Sequence, residues 1–244
     1  MNDLIKNARK AIKPNWTDLY TIKTDRKLKK DEPQAFIQPK TGQLIDLKKT
    51  FENINQKTLS EAIGSRRSTR EYSDQNLSFE ELSYVLWETC RVDHIDQGRV
   101  YKTIPTAGAT NSGETYVYIH RVEGIDSGIY LYVQNQHQLA LIEKADDLEN
   151  RVNEALLKQL RNANMVVFFT HVLPRVEYKY AHIGPKLACL EAGHACQNLS
   201  LVSEVIDSGV CAIAAYHQEK VDQLLQINGE DHFTLYCATL GKKK

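Results

Sequence analysis

The sequence predicts an α+β fold, because strand and helix signals follow one another without strict βαβ alternation. Three observations carry this prediction. Residues 115–142 hold three short strand-like runs parted by turn residues. Met165–Val172 is one continuous apolar run, and residues 185–206 form the longest helical pattern in the chain.

Taken in order, residues 1–57 are polar and weakly periodic and read as an N-terminal arm, while residues 58–244 read as the folded domain. The arm carries the basic run Lys23–Lys30, with Pro33 and Pro39 after it. This run reads as a solvated segment, since it lacks the interleaved aromatics of a nucleic-acid tail. Thr58 with Glu61, and Ser78 with Glu81, are capping boxes. The first opens a short helix that runs into Arg66-Arg67-Ser68-Thr69-Arg70. The second opens a helix with Phe79, Leu82, Val85 and Leu86 on one face. Thr115–Val122, Ile129–Val133 and Gln138–Ile142 read as strands, with turns at Gly124 and at Asn135-Gln136.

Leu148, Val152, Ala155, Leu156 and Leu160 recur at helical spacing. Met165–Val172, bounded by Pro174, reads as a buried strand. The long helix at 185–206 follows Gly184-Pro185 and stops near Gly209. It is apolar around much of its surface, which predicts burial at the centre of the fold or at a subunit interface. A short helix near 217–226 and a strand from Phe233 to Leu240 close the chain.

Lys+Arg and Asp+Glu both number 31, so the formal net charge is zero. A balanced chain offers no global attraction for nucleic acid or membrane, and an anionic ligand needs a local cationic cluster. No run approaches the ~20 apolar residues of a membrane span. The first residues lack the apolar core of a signal peptide. Cys90, Cys189, Cys196, Cys211 and Cys237 form no C-x-x-C pair, which points to reduced thiols and a cytoplasmic protein.

Four segments are chemically suggestive. Arg66, Arg67, Ser68 and Arg70 place three guanidinium groups and a hydroxyl within five residues. That donor set matches phosphate oxygens, although a basic helix terminus has the same composition. Pro105-Thr106-Ala107-Gly108-Ala109 is either a turn or a stretch of backbone thin enough to lie against a flat ligand. Gly209–Ala215 reads as a helix stop or as a loop along a ring, and Lys242–Lys244 as a basic tail. Glu191-x-x-His194 has the spacing of a carboxylate-bridged metal motif but occurs once, so it reads as buried helix structure with no metal. Cys211 reads as a small core residue.

The order of these segments resembles the nitroreductase-like superfamily of FMN-dependent oxidoreductases. The likeness is nearest to its azoline (thiazoline/oxazoline) dehydrogenase-type, or SagB-type, branch. R-R-S-x-R after the first helix is similar to the flavin-phosphate motif, and P-T-A-G-A resembles the branch's P-S-A-G-A. G-I-Y-L-Y resembles its G-x-Y-x-Y. L-E-A-G-H-A-C-Q-N-L is close to its E-A-G-H-x-x-Q-N-L helix, and Leu44-Ile-Asp-Leu47 resembles its approach to the first helix.

The resemblance implies a three-layer α/β/α fold with a central mixed, mainly antiparallel sheet and a long central helix at a homodimer interface. It further implies FMN held at that interface, with Arg66, Arg67, Ser68 and Arg70 at its phosphate and ribityl chain. Pro105, Thr106, Ala107 and Gly108 would lie against the partner's isoalloxazine. Ala212, Ile213, Ala214 and Ala215 would supply backbone donors, although Ala214 and Ala215 depart from the Pro-Ile-Gly-Gly type of run common there. Lys242 or Lys244 would meet the phosphate. NADH or NADPH is the expected electron donor, and a nitro compound or quinone the expected small-molecule acceptor. Lys179-Tyr180 matches a Lys-Tyr pair of the peptide-modifying members, where it assists proton removal during oxidation of a thiazoline or oxazoline. Otherwise Lys179 is an ordinary exposed lysine. A flavin-binding protein without turnover is a further alternative.

Overall fold

The computed structural model describes residues 2–39 and 43–244; of the arm, residues 1 and 40–42 lie outside the description. The arm contains regular structure that its weak periodicity does not announce. It has helices α1 (Asp3–Ala11) and α2 (Asp18–Thr21) and a short strand β1 (Leu44–Asp46). Helix α3 (Leu59–Ser65) and helix α4 (Phe79–Cys90) both start at the anticipated capping boxes. The side chains of Thr58 and Ser78 accept from the backbone N–H of Glu61 and Glu81, respectively. A two-stranded hairpin follows, β2 (Val92–Asp96) and β3 (Arg99–Lys102), which stands apart from the main sheet.

The main sheet is built from β1, β4 (Gly113–Ile119), β5 (Gly128–Val133), β6 (Gln138–Glu143), β7 (Met165–Val172), β8 (Ser208–Ile213) and β9 (His232–Lys242). Their order across the sheet is β1-β6-β5-β4-β7-β9-β8, with every adjacent pair antiparallel. Among the described residues, parallel pairing is confined to isolated bridges such as Ser68 with Val210.

Helices lie on both faces, as the period of two along the central strands requires. Val117, Ile119, Val167 and Phe169 point to one face, under α4 and α7 (Gly184–Val205), and meet Leu82, Leu86, Cys196 and Leu199. Tyr116, Tyr118, Val166 and Phe168 point to the other, under α5 (Leu148–Ala155) and α8 (Gln218–Leu224), and meet Val152, Leu156 and Val221. Strands buried on both faces read as continuous apolar runs, which is why Met165–Val172 carries no alternation. No described helix is long and apolar enough to cross a membrane.

Two local expectations change. Gly209–Ala215 is neither a helix stop nor wholly a loop. The helix ends at Val205, and Ser208–Ile213 is the edge strand β8. Its small residues conceal a strand whose hydrogen bonds to β9 fix it. Pro174 does bound β7, but it also opens helix α6 (Leu173–Tyr180), sitting in the first turn where its missing N–H costs nothing.

Candidate functional site

The arginine segment leaves α3 as extended chain and is clamped to the sheet edge. The Thr69 N–H donates to the Val210 carbonyl at 3.0 Å. The Thr69 side chain fills the space over Gly209, where a Cβ would lie 2.1 Å from the threonine oxygen, so β8 needs glycine there. The Tyr72 hydroxyl donates to the Thr69 carbonyl at 2.8 Å and lies 2.9 Å from the Thr239 hydroxyl. Desolvation raises the Tyr72 phenol to about 12, so it remains a donor at neutral pH.

In an extended segment, positions two apart share a side. Thr69 turns to the strand, and Arg67 folds back onto the carbonyls of Gly64 and Arg66 at 3.0 and 2.8 Å. Arg66, Ser68 and Arg70 form the other set, and among the described residues their side chains have no hydrogen-bond or ion-pair partner. On β8, Ala212 is exposed and Ile213 buried; Ala214 and Ala215 continue the exposed run.

The terminal lysines are placed differently from one another. The Lys242 amine is held by Glu81 at 2.5 Å and by the Ile206 carbonyl at 2.8 Å, inside the fold. Lys244 lies on the surface 3.3 Å from Glu71, the neighbour of Arg70. Lys243, which the sequence did not single out, pairs with the buried Glu204 at 2.7 Å.

A second cluster forms around Gly108. This residue has φ 56° and touches Tyr180; a Cβ on it would sit 2.4 Å from the phenol oxygen, so only glycine fits. The Lys179 amine donates to the Gly108 carbonyl at 3.1 Å and faces Glu32 of the arm at 3.5 Å. Tyr180 also meets Trp16 of the arm edge-on, with ring centroids 5.9 Å apart. The lysine–tyrosine pair and the Pro105–Ala109 loop, far apart in sequence, are thus one surface. Lys179 is not an ordinary exposed lysine, since its side chain is 13% exposed.

Beneath that loop lies a polar network whose partners sequence spacing could not supply. Buried Glu191 on α7 accepts from Thr106 at 2.8 Å, from Ser112 at 3.1 Å, and from the Gly113 N–H at 3.1 Å. Ser112 also contacts the ring of buried His171 at 3.0 Å. Burial presses the Glu191 carboxyl upward, but these donors and the nearby Lys102 and His171 outweigh it and hold the group ionised. His171 is driven down to about 4 by desolvation, so it is neutral at pH 7 and acts here as a hydrogen-bonding group. With His171 neutral, the charge of Lys102 and the Thr106 and Gly113 donors hold the carboxylate. Half of the Glu191/His194 reading needs correction. Glu191 is buried structure, but His194, three residues on, is exposed, because only one side of α7 faces the sheet.

The two clusters do not meet within one chain. The loop is tied to Glu191, and the arginine segment begins at Ser65, which donates to Glu204 at 2.7 Å. Both acids lie on α7, roughly 20 Å apart at 1.5 Å per residue. The open cationic donors of the first cluster fit a phosphate, and the exposed small residues of β8 beside them fit a flat group. The second cluster offers a wall at Gly108 with the amine of Lys179 and the phenol of Tyr180 beside it.

An antiparallel sheet between two helical layers defines the fold class as α+β. The sequence pattern of the Nitroreductase family matches residues 63–242, and the chain belongs to that family; it is an oxidoreductase. A candidate nitroreductase of Methanocaldococcus jannaschii is 28% identical over 193 residues, covering 78% of this chain and 94% of that protein. A solved candidate nitroreductase of Anabaena variabilis is 28% identical with a TM-score of 0.65; the match covers 76% of this chain but 38% of that longer one. A chain of the Escherichia coli microcin synthetase complex McbBCD, solved with truncated pro-MccB17 bound, shares the fold. Its TM-score is 0.64 at 18% identity, over 90% of this chain and 80% of that one.

Proposed function

We propose that the protein is a homodimeric, FMN-dependent oxidoreductase that takes hydride from NADH or NADPH and delivers it to a nitro compound, quinone or related small acceptor in a ping-pong cycle. The observation that carries this reading is the set Arg66, Ser68 and Arg70, three open donors on a segment clamped to the edge of β8. Bound FMN would supply a ring nitrogen, N5, able to accept and donate hydride. Arg66 and Arg70 would hold its phosphate through charge-assisted hydrogen bonds, with Ser68 adding a hydroxyl. Arg67 serves by stiffening the segment. Ala212, Ala214 and Ala215 keep exposed side-chain bulk low and Ile213 turns its side chain into the core, so that backbone donors of Ala212, Ile213, Ala214 and Ala215 would stabilise charge on the reduced ring. Pro105, Thr106, Ala107 and Gly108 would wall the cofactor of the second subunit, because they lie too far from the arginines of their own.

The test is an absorbance spectrum of the purified protein before and after anaerobic addition of NADPH. The expected result is a flavin spectrum that bleaches and then returns when menadione is added. A colourless protein that takes up no added FMN overturns the reading.

A second reading is favoured by one observation, the meeting of Lys179 and Tyr180 with the Gly108 loop. In it, thiazoline or oxazoline rings of a modified peptide would give up hydride to bound FMN and a proton to Lys179 and Tyr180. The shared fold with a chain of a microcin synthetase complex is in keeping with it. Lys179→Ala is then expected to abolish ring oxidation, and wild-type turnover by that variant rules it out.

A further inference from the structure

Arm, hairpin and α6 enclose a cleft of about 460 Å³ over the Gly108 loop. Its charged lining is Arg26 and Glu32 from the arm, Arg99 from β3 and Lys179 from α6, with Tyr101 beside them. Three cations against one carboxylate is a local excess in a chain whose formal net charge is zero. Glu32 lies 3.5 Å from Lys179, and its side chain is 63% exposed, so it answers one cation from the cleft mouth. Among the described residues, the guanidinium groups of Arg26 and Arg99 have no hydrogen-bond or ion-pair partner.

Both arginines stand on fixed backbone. The Arg26 N–H donates to the Tyr178 carbonyl at 3.0 Å, which docks the arm on α6. Arg99 follows the tight turn at Gln97 and Gly98, both with positive φ. Arg26 and Arg99 are both exposed, so what gathers their field is the concave wall and not burial, and planar guanidinium groups match carboxylate oxygens in pairs. The volume lies within the ~300–1,000 Å³ usual for small-molecule sites.

Resting on the oxidoreductase reading above, we infer that this cleft is an acceptor subsite that binds the carboxylate of an aromatic electron acceptor through Arg26 and Arg99. The hairpin, which stands apart from the main sheet, and the part of the arm before β1 then serve to supply its two cations. The acceptor's ring would lie toward Gly108, the residue that the first reading sets against the flavin.

The experiment compares 4-nitrobenzoate with its near-isosteric neutral partner 4-nitrobenzamide. Dissociation constants are measured by titration calorimetry on the protein as purified, and KM values are measured with NADPH. The acid is expected to bind about tenfold tighter than the amide at low salt, with the gap shrinking as salt rises. Arg26→Gln with Arg99→Gln is expected to close the gap, with thermal unfolding confirming an intact fold. Equal affinities in the wild type, or a gap that survives the double substitution, overturn the inference. Preference for the acid without turnover of either compound upholds the cleft and counts against the oxidoreductase reading. Turnover without preference does the reverse.

Discussion

Glu191 is the residue on which the Pro105–Ala109 loop stands. Its two oxygens receive three donors from Thr106, Ser112 and Gly113, and it is 3% exposed. Glu191→Gln keeps the volume but turns an NH₂ group toward one or more of those donors. Leaving a buried donor unmatched costs about 1–3 kcal/mol, which for a chain of this size lowers the unfolding midpoint by several degrees. Calorimetry checks this, and a midpoint equal to wild type would show that the network bears no load. The same site sets a pH response. His171 titrates near 4 when folded, against 6.5 for an ordinary histidine, so the unfolded chain binds the proton first as acid is added. Its contribution is therefore complete above pH 6.5 and is lost as pH falls toward 4; the full gap corresponds to on the order of 3 kcal/mol. Stability followed from pH 7 to 4 is expected to drop, and His171→Gln to flatten that slope. A variant with the wild-type slope would place the acid sensitivity elsewhere.

The arm is an element in its own right, and its fastening is polar. Arg175 on α6 donates to the Gln34 carbonyl at 2.7 Å, the Asn111 carbonyl at 3.0 Å and Glu114 at 2.6 Å. Glu114 in turn accepts from the Ile37 N–H at 3.2 Å. Both side chains of this ion pair are nearly fully buried. Arg175→Met removes one charge and strands the other, at a cost of about 3–5 kcal/mol. The expected signs are a lower unfolding midpoint and faster proteolytic cleavage within residues 22–37, with Glu114→Gln restoring part of the loss. Unchanged cleavage would mean that other contacts hold the arm.

This fastening also explains what the sequence could and could not reveal. Capping boxes at Thr58 and Ser78, and apolar runs such as Met165–Val172, are local signals and were legible. The arm docks on Arg175, Tyr178 and Tyr180, more than a hundred residues away, through Gln34, Lys30 and Trp16, which lie outside its helices, and α1 buries no residue. Helix α1 does set Leu4, Ile5 and Ala8 at helical spacing, but that short pattern says nothing of where the arm docks. Strand β8 was hidden by Gly209, Cys211 and Ala212, residues of weak strand preference. Exposed alternation of charge hid the β2–β3 hairpin. At the site, Arg66 to Arg70 were visible as composition. The joining of Lys179 to Gly108 came only from the structure, since no spacing rule links residues so far apart.

At the scale of the whole molecule, α7 has a side that one chain leaves uncovered. Leu190 is 51% exposed, and Gly193 and Gln197 follow on the same face at helical spacing. On α3, which packs against α7, Leu59 and Ile63 are 65% and 57% exposed. Exposed apolar side chains on two helices that pack together suit an interface, and a two-fold pairing of α7 would cover them. Such pairing would also let the loop cluster of one chain approach the arginine segment of another, which a single chain keeps roughly 20 Å apart along α7. Light scattering during gel filtration is therefore expected to give about 56 kDa, twice the 27.8 kDa of one chain. Leu190→Arg would set a guanidinium in the middle of that contact, where an unpaired charge costs several kcal/mol. It is expected to yield monomers that lose FMN on dilution, although Arg66, Ser68 and Arg70 are untouched. Wild-type protein that runs at the mass of one chain while keeping a full complement of flavin would show that a single copy completes its own site. The division between the two clusters would then need another cause.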